Sequence, residues 1–192
     1  MRFTVNTPCA ADYLTNIKHP RWESLTCYIR HYNFRLGAEI GVSDGVNLQN
    51  LLSLNPELKM YGVDSYESEG NELERYDEGF YEGRTKEKMV KHMEKIESKY
   101  APRLRMLYMD TREASEFIPD EHLDFVFLDA DHSYEGVMRD IELWGPKVKK
   151  NGLMMGHDLN WGSVARAVGE TFDNFWIASD NVWVASLQWK NA

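Results

Sequence analysis

Gly37-Ala38-Glu39-Ile40-Gly41-Val42-Ser43-Asp44-Gly45, followed by Val46-Asn47-Leu48-Gln49-Asn50-Leu51-Leu52, decides how the rest of the chain is read. Apolar Leu36 to Ile40 predicts a strand, the glycines a sharp turn, and the run after Asp44 a helix over 44 to 53. A helix N-terminus directs unpaired N–H groups at whatever lies above the turn, and glycine lets a ligand approach without a Cβ in the way. Three glycines and a serine in such a span also suit an ordinary strand-to-helix turn, so the remaining segments have to decide between them.

Four further strands follow, and each ends on polar residues. Lys59 to Asp64 closes on an acid 25 positions after Glu39 (64 minus 39). An acid there either caps a turn or, in a nucleotide-binding βαβ unit, accepts hydrogen bonds from ribose hydroxyls. Leu104 to Met109 ends at Asp110-Thr111, which read equally as a helix cap and as acceptors near an adenine amino group. Leu123 to Leu128 is almost wholly apolar, as expected for a strand buried on both faces, and runs into Asp129-Ala130-Asp131-His132-Ser133. Gly152 to Asp158 ends on His157-Asp158. Parallel strands place all these ends on one edge, where open α/β sheets bind their ligands.

The intervening segments read as helices. Trp22, Leu25, Tyr28, Ile29 and Tyr32 give a lead-in helix over about 22 to 32, within an N-terminal segment spanning 1 to 35. Residues 67 to 82 hold seven acids and one base together with several aromatics, which predicts a surface loop or lid, and Met89, Met93, Ile96 and Tyr100 form the stripe of the helix that follows, to about residue 100. Val137, Ile141, Trp144 and Val148 share a helix face with Ser133 as N-cap, and Val164, Ala167, Val168 and Thr171 share another. Asn174 to Ala178 and Val182 to Trp189, joined by Ser179-Asp180-Asn181, form a terminal hairpin.

Composition narrows the function. The chain of 192 residues reads as one domain over 1 to 192, and its 43% hydrophobic content suits a globular core. A net charge of -9 speaks against a nucleic-acid backbone as partner, since that affinity comes from clustered Lys and Arg. The expected partner is a small-molecule substrate. The first twenty residues lack an apolar leader core and no run has the length of a membrane span, so the expectation is a soluble cytoplasmic protein without a membrane partner. Cys9 and Cys27 read as free thiols. A homodimer is compatible with the sequence, which leaves the oligomeric state open.

With these residues in view, Glu39-Ile-Gly41-Val-Ser-Asp-Gly45, Asp64 and the terminal hairpin resemble the class I S-adenosylmethionine-dependent methyltransferases. Phe127-Leu-Asp129-Ala-Asp131-His132 and Gly156-His-Asp158-Leu-Asn160-Trp161 are similar to the metal-dependent small-molecule O-methyltransferases and their sugar-modifying relatives. The resemblance, over about 36 to 190, implies a Rossmann-like, doubly wound, mostly parallel α/β sheet of seven strands ending in an antiparallel hairpin. It implies S-adenosylmethionine as cofactor, with Gly41, Ser43 and Gly45 cradling its methionine part near Glu39, Asp64 on the ribose, and Asp110 and Thr111 near the adenine. Asp129 and Asp158 match two metal-ligand positions of a type that suits Mg²⁺, but Leu159 and His132 stand where relatives often carry an acid or amide and a lysine. Methyl transfer to a hydroxyl needs positioning and removal of a proton, for which His132 beside Asp129 is the first candidate and His157 the second.

Two other readings stand beside this one. Gly41-Val42-Ser43-Asp44-Gly45 also fits the G-x-S-x-G elbow of α/β-hydrolases, but only 40 residues precede Gly41, too few for the strands and oxyanion loop that fold requires upstream. The alternative is a non-catalytic methyltransferase-like domain that binds a nucleoside cofactor or a partner.

Overall fold

A computed structural model of the chain describes residues 19–67 and 85–186. Its elements alternate as the sequence predicts: α1 (Arg21–His31), β1 (Leu36–Ile40), α2 (Val46–Leu54), β2 (Lys59–Val63), α3 (Lys86–Tyr100), β3 (Leu104–Leu107), α4 (Thr111–Glu116), β4 (Leu123–Leu128), α5 (Tyr134–Trp144), β5 (Val148–Gly156), α6 (Gly162–Thr171), β6 (Phe175–Ile177) and β7 (Trp183–Ser186). The segment read as an acidic lid, 67 to 83, lies outside the described residues apart from Glu67, as do residues 1–18 of the lead-in.

The strands form one seven-stranded sheet in the order β3-β2-β1-β4-β5-β7-β6. The first five pair in parallel, and β7 runs antiparallel to both β5 and β6. This is the doubly wound α/β fold with an antiparallel hairpin at its edge. Each central strand buries both faces, so its alternate residues feed two separate cores. Phe125 and Phe127 of β4 join Leu25, Leu48, Leu51, Met93 and Ile96 beneath α1, α2 and α3. Val126 and Leu128, one residue out of phase, join Ala114, Ile141, Trp144, Val164 and Ala167 beneath α4, α5 and α6. A strand polar on one side could not serve two helical layers, which is why Leu123 to Leu128 reads as continuous hydrophobicity.

Several boundaries differ from the sequence reading, for local reasons. α5 ends at Trp144, and Gly145–Lys147, containing Pro146, forms a single 3-10 turn. Val148, expected on the helix face, instead opens β5 and pairs with Leu123, four residues earlier than the strand was expected to begin. The ladder is irregular between Leu123 and Phe125. A β-bulge of this kind accommodates the polar Lys149-Lys150-Asn151 stretch that hides the strand's start from a hydrophobicity pattern. α2 starts at Val46, two residues later than expected, because Gly45 adopts the left-handed conformation at its N-cap. Cys27, read as a free thiol, is disulfide-bonded. The sequence's only other cysteine, Cys9, lies outside the described residues.

β1 and β4 approach closely enough to dictate a glycine. Gly37 pairs with Phe125, and a Cβ at Gly37 would fall 2.3 Å from Phe125 Cζ. Phe125 is itself held by the stacked ring of Phe34, 5.9 Å away between centroids. The ring therefore cannot retreat. Gly37→Ala is expected to destabilise the protein by about 1–3 kcal/mol through overpacking, measured as a lower urea midpoint with an unchanged slope. An unchanged midpoint would show that the core can yield at this point.

Candidate functional site

Backbone hydrogen bonds carry the parallel register one step past the strand ends. Gly41 N–H donates to Val63 O (2.9 Å), Asp64 N–H to Leu107 O (3.2 Å), Asp129 N–H to Ile40 O (2.8 Å) and His157 N–H to Leu128 O (3.0 Å). Residues far apart in sequence thus stand side by side on one edge. The order reverses between β1 and β4, so Gly41 and Asp129 flank the switch point where such sheets open a crevice.

On the β1 side lies a cradle. Gly41 has φ +85°, and a Cβ there would meet the Asp129 carbonyl oxygen at 2.2 Å. Only glycine fits. Ser43 also lies in the left-handed region, at φ +51°. Asp64 pins the turn from below: Oδ2 accepts from the N–H groups of Val42 (3.0 Å) and Ser43 (2.9 Å), and Oδ1 from that of Tyr66 (2.8 Å). A carboxylate offers about four acceptor sites, so three local bonds leave room for about one more donor. Burial raises the Asp64 pKa, and the three N–H groups oppose that shift. Tyr66 reaches back across the turn and donates its hydroxyl to Ser43 O (2.9 Å).

Glu39 and Asn47 face each other beneath the cradle. Asn47 Nδ2 donates to Glu39 Oε1 (3.1 Å), while Glu39 Oε2 and Asn47 Oδ1 are buried without hydrogen-bond partners among the described residues. Burial pushes the Glu39 carboxyl up to about 8. These unpaired oxygens leave capacity for a polar ligand: Asn47 Oδ1 can accept from an N–H donor such as the ammonium group of a methionine moiety, and Glu39 can do so when ionised.

On the β4 side lies a charged centre. Asp129, His132 and Asp158 each present a ligand atom within 4.8 Å of the others, a spacing that suits one cation. His132 Nε2 is 2.8 Å from Asp158 Oδ2 and 3.5 Å from Asp129 Oδ1. His157 Nδ1 is 3.1 Å from Asp158 Oδ1 and 3.7 Å from Asp129 Oδ1. Burial disfavours the imidazolium of His132, but the two carboxylates outweigh it and push His132 up to about 9. Asp158 is held well below the usual carboxylate range, because the two histidines overcome the effect of burial. The ring of Trp161 lies 5.2 Å from that of His132 and closes one side.

The remaining candidates divide. Asp110 caps α4, with Oδ1 accepting from Arg112 N–H (2.8 Å), and is exposed at the edge. Thr111 turns inward, where its hydroxyl accepts from Trp144 Nε1 (2.8 Å), so the structure does not bring that side chain to the open edge. Three residues absent from the sequence reading of the site join it. Arg21 pairs its guanidinium with Asp129, Asp180 lies 3.7 Å from His157, and Tyr66 covers the cradle. Arg21 sits in a lead-in helix and Asp180 in a hairpin turn, and neither carries a sequence signal of its own. Tyr66, two residues beyond Asp64, is the one whose position could have drawn notice.

Residues 38–159 match a family model described as a methyltransferase domain. The chain belongs to that family. Its fold is that of the class I S-adenosylmethionine-dependent methyltransferases. This methyltransferase resembles the S-adenosylhomocysteine-bound methyltransferase PaMTH1 of Podospora anserina at 11% identity and a TM-score of 0.62, over 97% of this chain and 83% of that one. Cofactor-bound Rv0187 from MTB is 14% identical with a TM-score of 0.59, over 95% and 91%. A candidate caffeoyl-CoA O-methyltransferase from Staphylococcus aureus is 14% identical with a TM-score of 0.58, over 93% and 91%. At such identities the structures share a fold. No curated protein matches the sequence. Among the described residues of the methyltransferase, no helix is long and apolar enough to cross a membrane.

Glu39 supplies a pH test. Its carboxyl titrates near 4.5 when unfolded and near 8 when folded, so between those values the unfolded chain releases a proton that the folded protein keeps. Stability therefore falls as pH rises through that window. Glu39→Gln, which cannot ionise, is expected to gain on the wild type by roughly 2–4 kcal/mol between pH 5 and pH 8. Urea unfolding of both proteins at the two pH values measures it, and a difference independent of pH would show that Glu39 is not held neutral.

Proposed function

We propose that this methyltransferase transfers the methyl group of S-adenosylmethionine to a hydroxyl of a small molecule, of the sugar or polyol-like class, within one domain spanning residues 1 to 192. The observation that carries the reading is the charged centre of Asp129, His132 and Asp158 across the switch point from the cradle. A hydroxyl placed between the two has a cofactor on one side and a proton acceptor on the other.

In this reading Glu39, Gly41, Ser43 and Gly45 receive the methionine part, and Asp64 uses its remaining acceptor capacity on the ribose. Adenine contact falls to Asp110 rather than Thr111, whose hydroxyl is engaged with Trp144. His132 takes the hydroxyl proton as attack proceeds, and Asp129 and Asp158 stabilise the imidazolium that results. The same carboxylates that make His132 a stronger base reduce the fraction in base form at neutral pH. His157, flanked by the same acids, is the second candidate.

Asp129 and Asp158 would hold a divalent cation, with His132 as the third donor. A cation there would lower the pKa of a coordinated hydroxyl. Mg²⁺ favours an all-oxygen set, whereas a nitrogen among the donors also suits Mn²⁺ or Zn²⁺.

Calorimetry with S-adenosylhomocysteine is expected to show binding that Asp64→Ala weakens about tenfold or more, equal to about 1.4 kcal/mol. No binding, or binding indifferent to Asp64→Ala, would sink the cofactor site. With labelled cofactor and a panel of hydroxylated compounds, His132→Ala is expected to lower transfer by about 10²–10⁴-fold with cofactor affinity retained. Cofactor binding without transfer to any compound in the panel would favour the non-catalytic alternative.

A further inference from the structure

The charged centre already contains a fixed cation. Arg21, the first residue of α1, pairs its guanidinium Nη1 with Asp129 Oδ2. The same residue is anchored twice to the β6–β7 turn: its backbone N–H donates to Asp180 Oδ2 at 3.1 Å, and its Nε lies 3.5 Å from that oxygen. Arg21 thus spans from a lead-in helix to the end of β4 and the β6–β7 turn, with its side chain 28% exposed and that of Asp129 15% exposed.

The oxygens of Asp129 are divided between partners. Oδ1 faces His132 and His157, at 3.5 and 3.7 Å, and Oδ2 faces Arg21. A divalent ion held by Asp129, His132 and Asp158 would stand against a carboxylate that already neutralises a guanidinium. Two cations on one carboxylate repel across a half-buried site where water screens them weakly. A guanidinium cannot escape by losing its proton. It can only move away.

We propose that Arg21 is the permanent cation of this centre, beside the titratable His132: it holds Asp129 in the role a divalent metal would otherwise fill, and metal binding and the Arg21–Asp129 pair exclude one another. The proposal concerns this chain's own control of the centre assigned above to the methyl-acceptor side, and it rests on that assignment only for the location. Metal affinity would then depend on how readily the Arg21 side chain leaves Asp129, a movement that breaks its Nε contact with Asp180 but can keep the backbone N–H anchor in place.

The test uses the full chain and Mn²⁺ alone as probe, with free Mn²⁺ read by electron paramagnetic resonance. Arg21→Met keeps an aliphatic stem without charge and offers no oxygen ligand. It is expected to bind Mn²⁺ at least about tenfold more tightly than the wild type, equal to about 1.4 kcal/mol. Asp129→Asn added to Arg21→Met is expected to abolish the gain. Arg21→Lys, which keeps a cation beside Asp129, is expected to stay within about threefold of the wild type. Where Arg21→Met does not fold, Arg21→Leu takes its place, since it too offers no oxygen ligand. Equal affinities in wild type and Arg21→Met, no binding by either, a gain that survives Asp129→Asn, or a gain shared by Arg21→Lys would each overturn the proposal. S-adenosylhomocysteine affinity, measured on the same samples, is expected to change by less than about threefold. Its absence in the wild type would count against the proposed function while leaving the Mn²⁺ comparison to be read by itself.

Discussion

The contact between the end of β1 and the end of β4 governs the rest of the molecule. Gly41 turns away from the sheet at φ +85°, with the Asp129 backbone filling the space a side chain would need. Because the two strands run parallel and adjacent, the cradle and the charged centre begin on either side of this one contact. A substituent at Gly41 would separate them. The reversal of strand order at the same place opens the crevice between the halves, so topology and chemistry meet in a single backbone approach.

Charge is the second constraint on this edge. Asp129, Asp158 and Asp180 converge on the two histidines, and Glu39 lies buried nearby. Each acid finds a different accommodation. Asp158 stays ionised against His132 and His157, Asp129 is shared with Arg21, and Glu39 is favoured in its neutral form. These are alternative solutions to one problem, that a half-buried carboxylate requires a partner, a proton or a ligand. The same arrangement gives His132 its strong basicity. It also makes any cation entering the centre a competitor for charges already balanced.

Much of the fold was legible because short apolar runs bounded by turn residues mark strands buried on both faces, while the helices between them carry apolar stripes at helical spacing. Leu36–Ile40 and Leu123–Leu128 match the sequence reading residue for residue, the N-cap at Ser133 sits where the pattern put it, and of the two cap candidates Asp110 and Thr111 the structure takes Asp110. The reading failed where polarity interrupts an element. β5 begins in a stretch with two lysines and an asparagine, and periodicity assigned Val148 to the preceding helix. Thr111 shows the same limit at a single side chain. Its place at a strand end was evident, but the direction of its hydroxyl depends on Trp144, 33 residues away.

The sequence by itself determined that five strand ends would carry acids, histidines and glycines, because hydrophobic periodicity and turn chemistry are local properties. It also determined that these strands run parallel, since a helix between successive strands provides the crossover that parallel pairing needs, whereas their order in the sheet came from the fold. Tertiary structure alone decided how the gathered charges are shared. The pairing of Arg21 with Asp129 spans 108 positions, and its anchorage to Asp180 spans 159. No local pattern encodes such contacts, for they depend on where the lead-in helix and the terminal hairpin come to rest on the sheet edge. The cradle was written in the residues from Gly37 to Gly45, but the cation that faces it across the switch point was supplied by the fold.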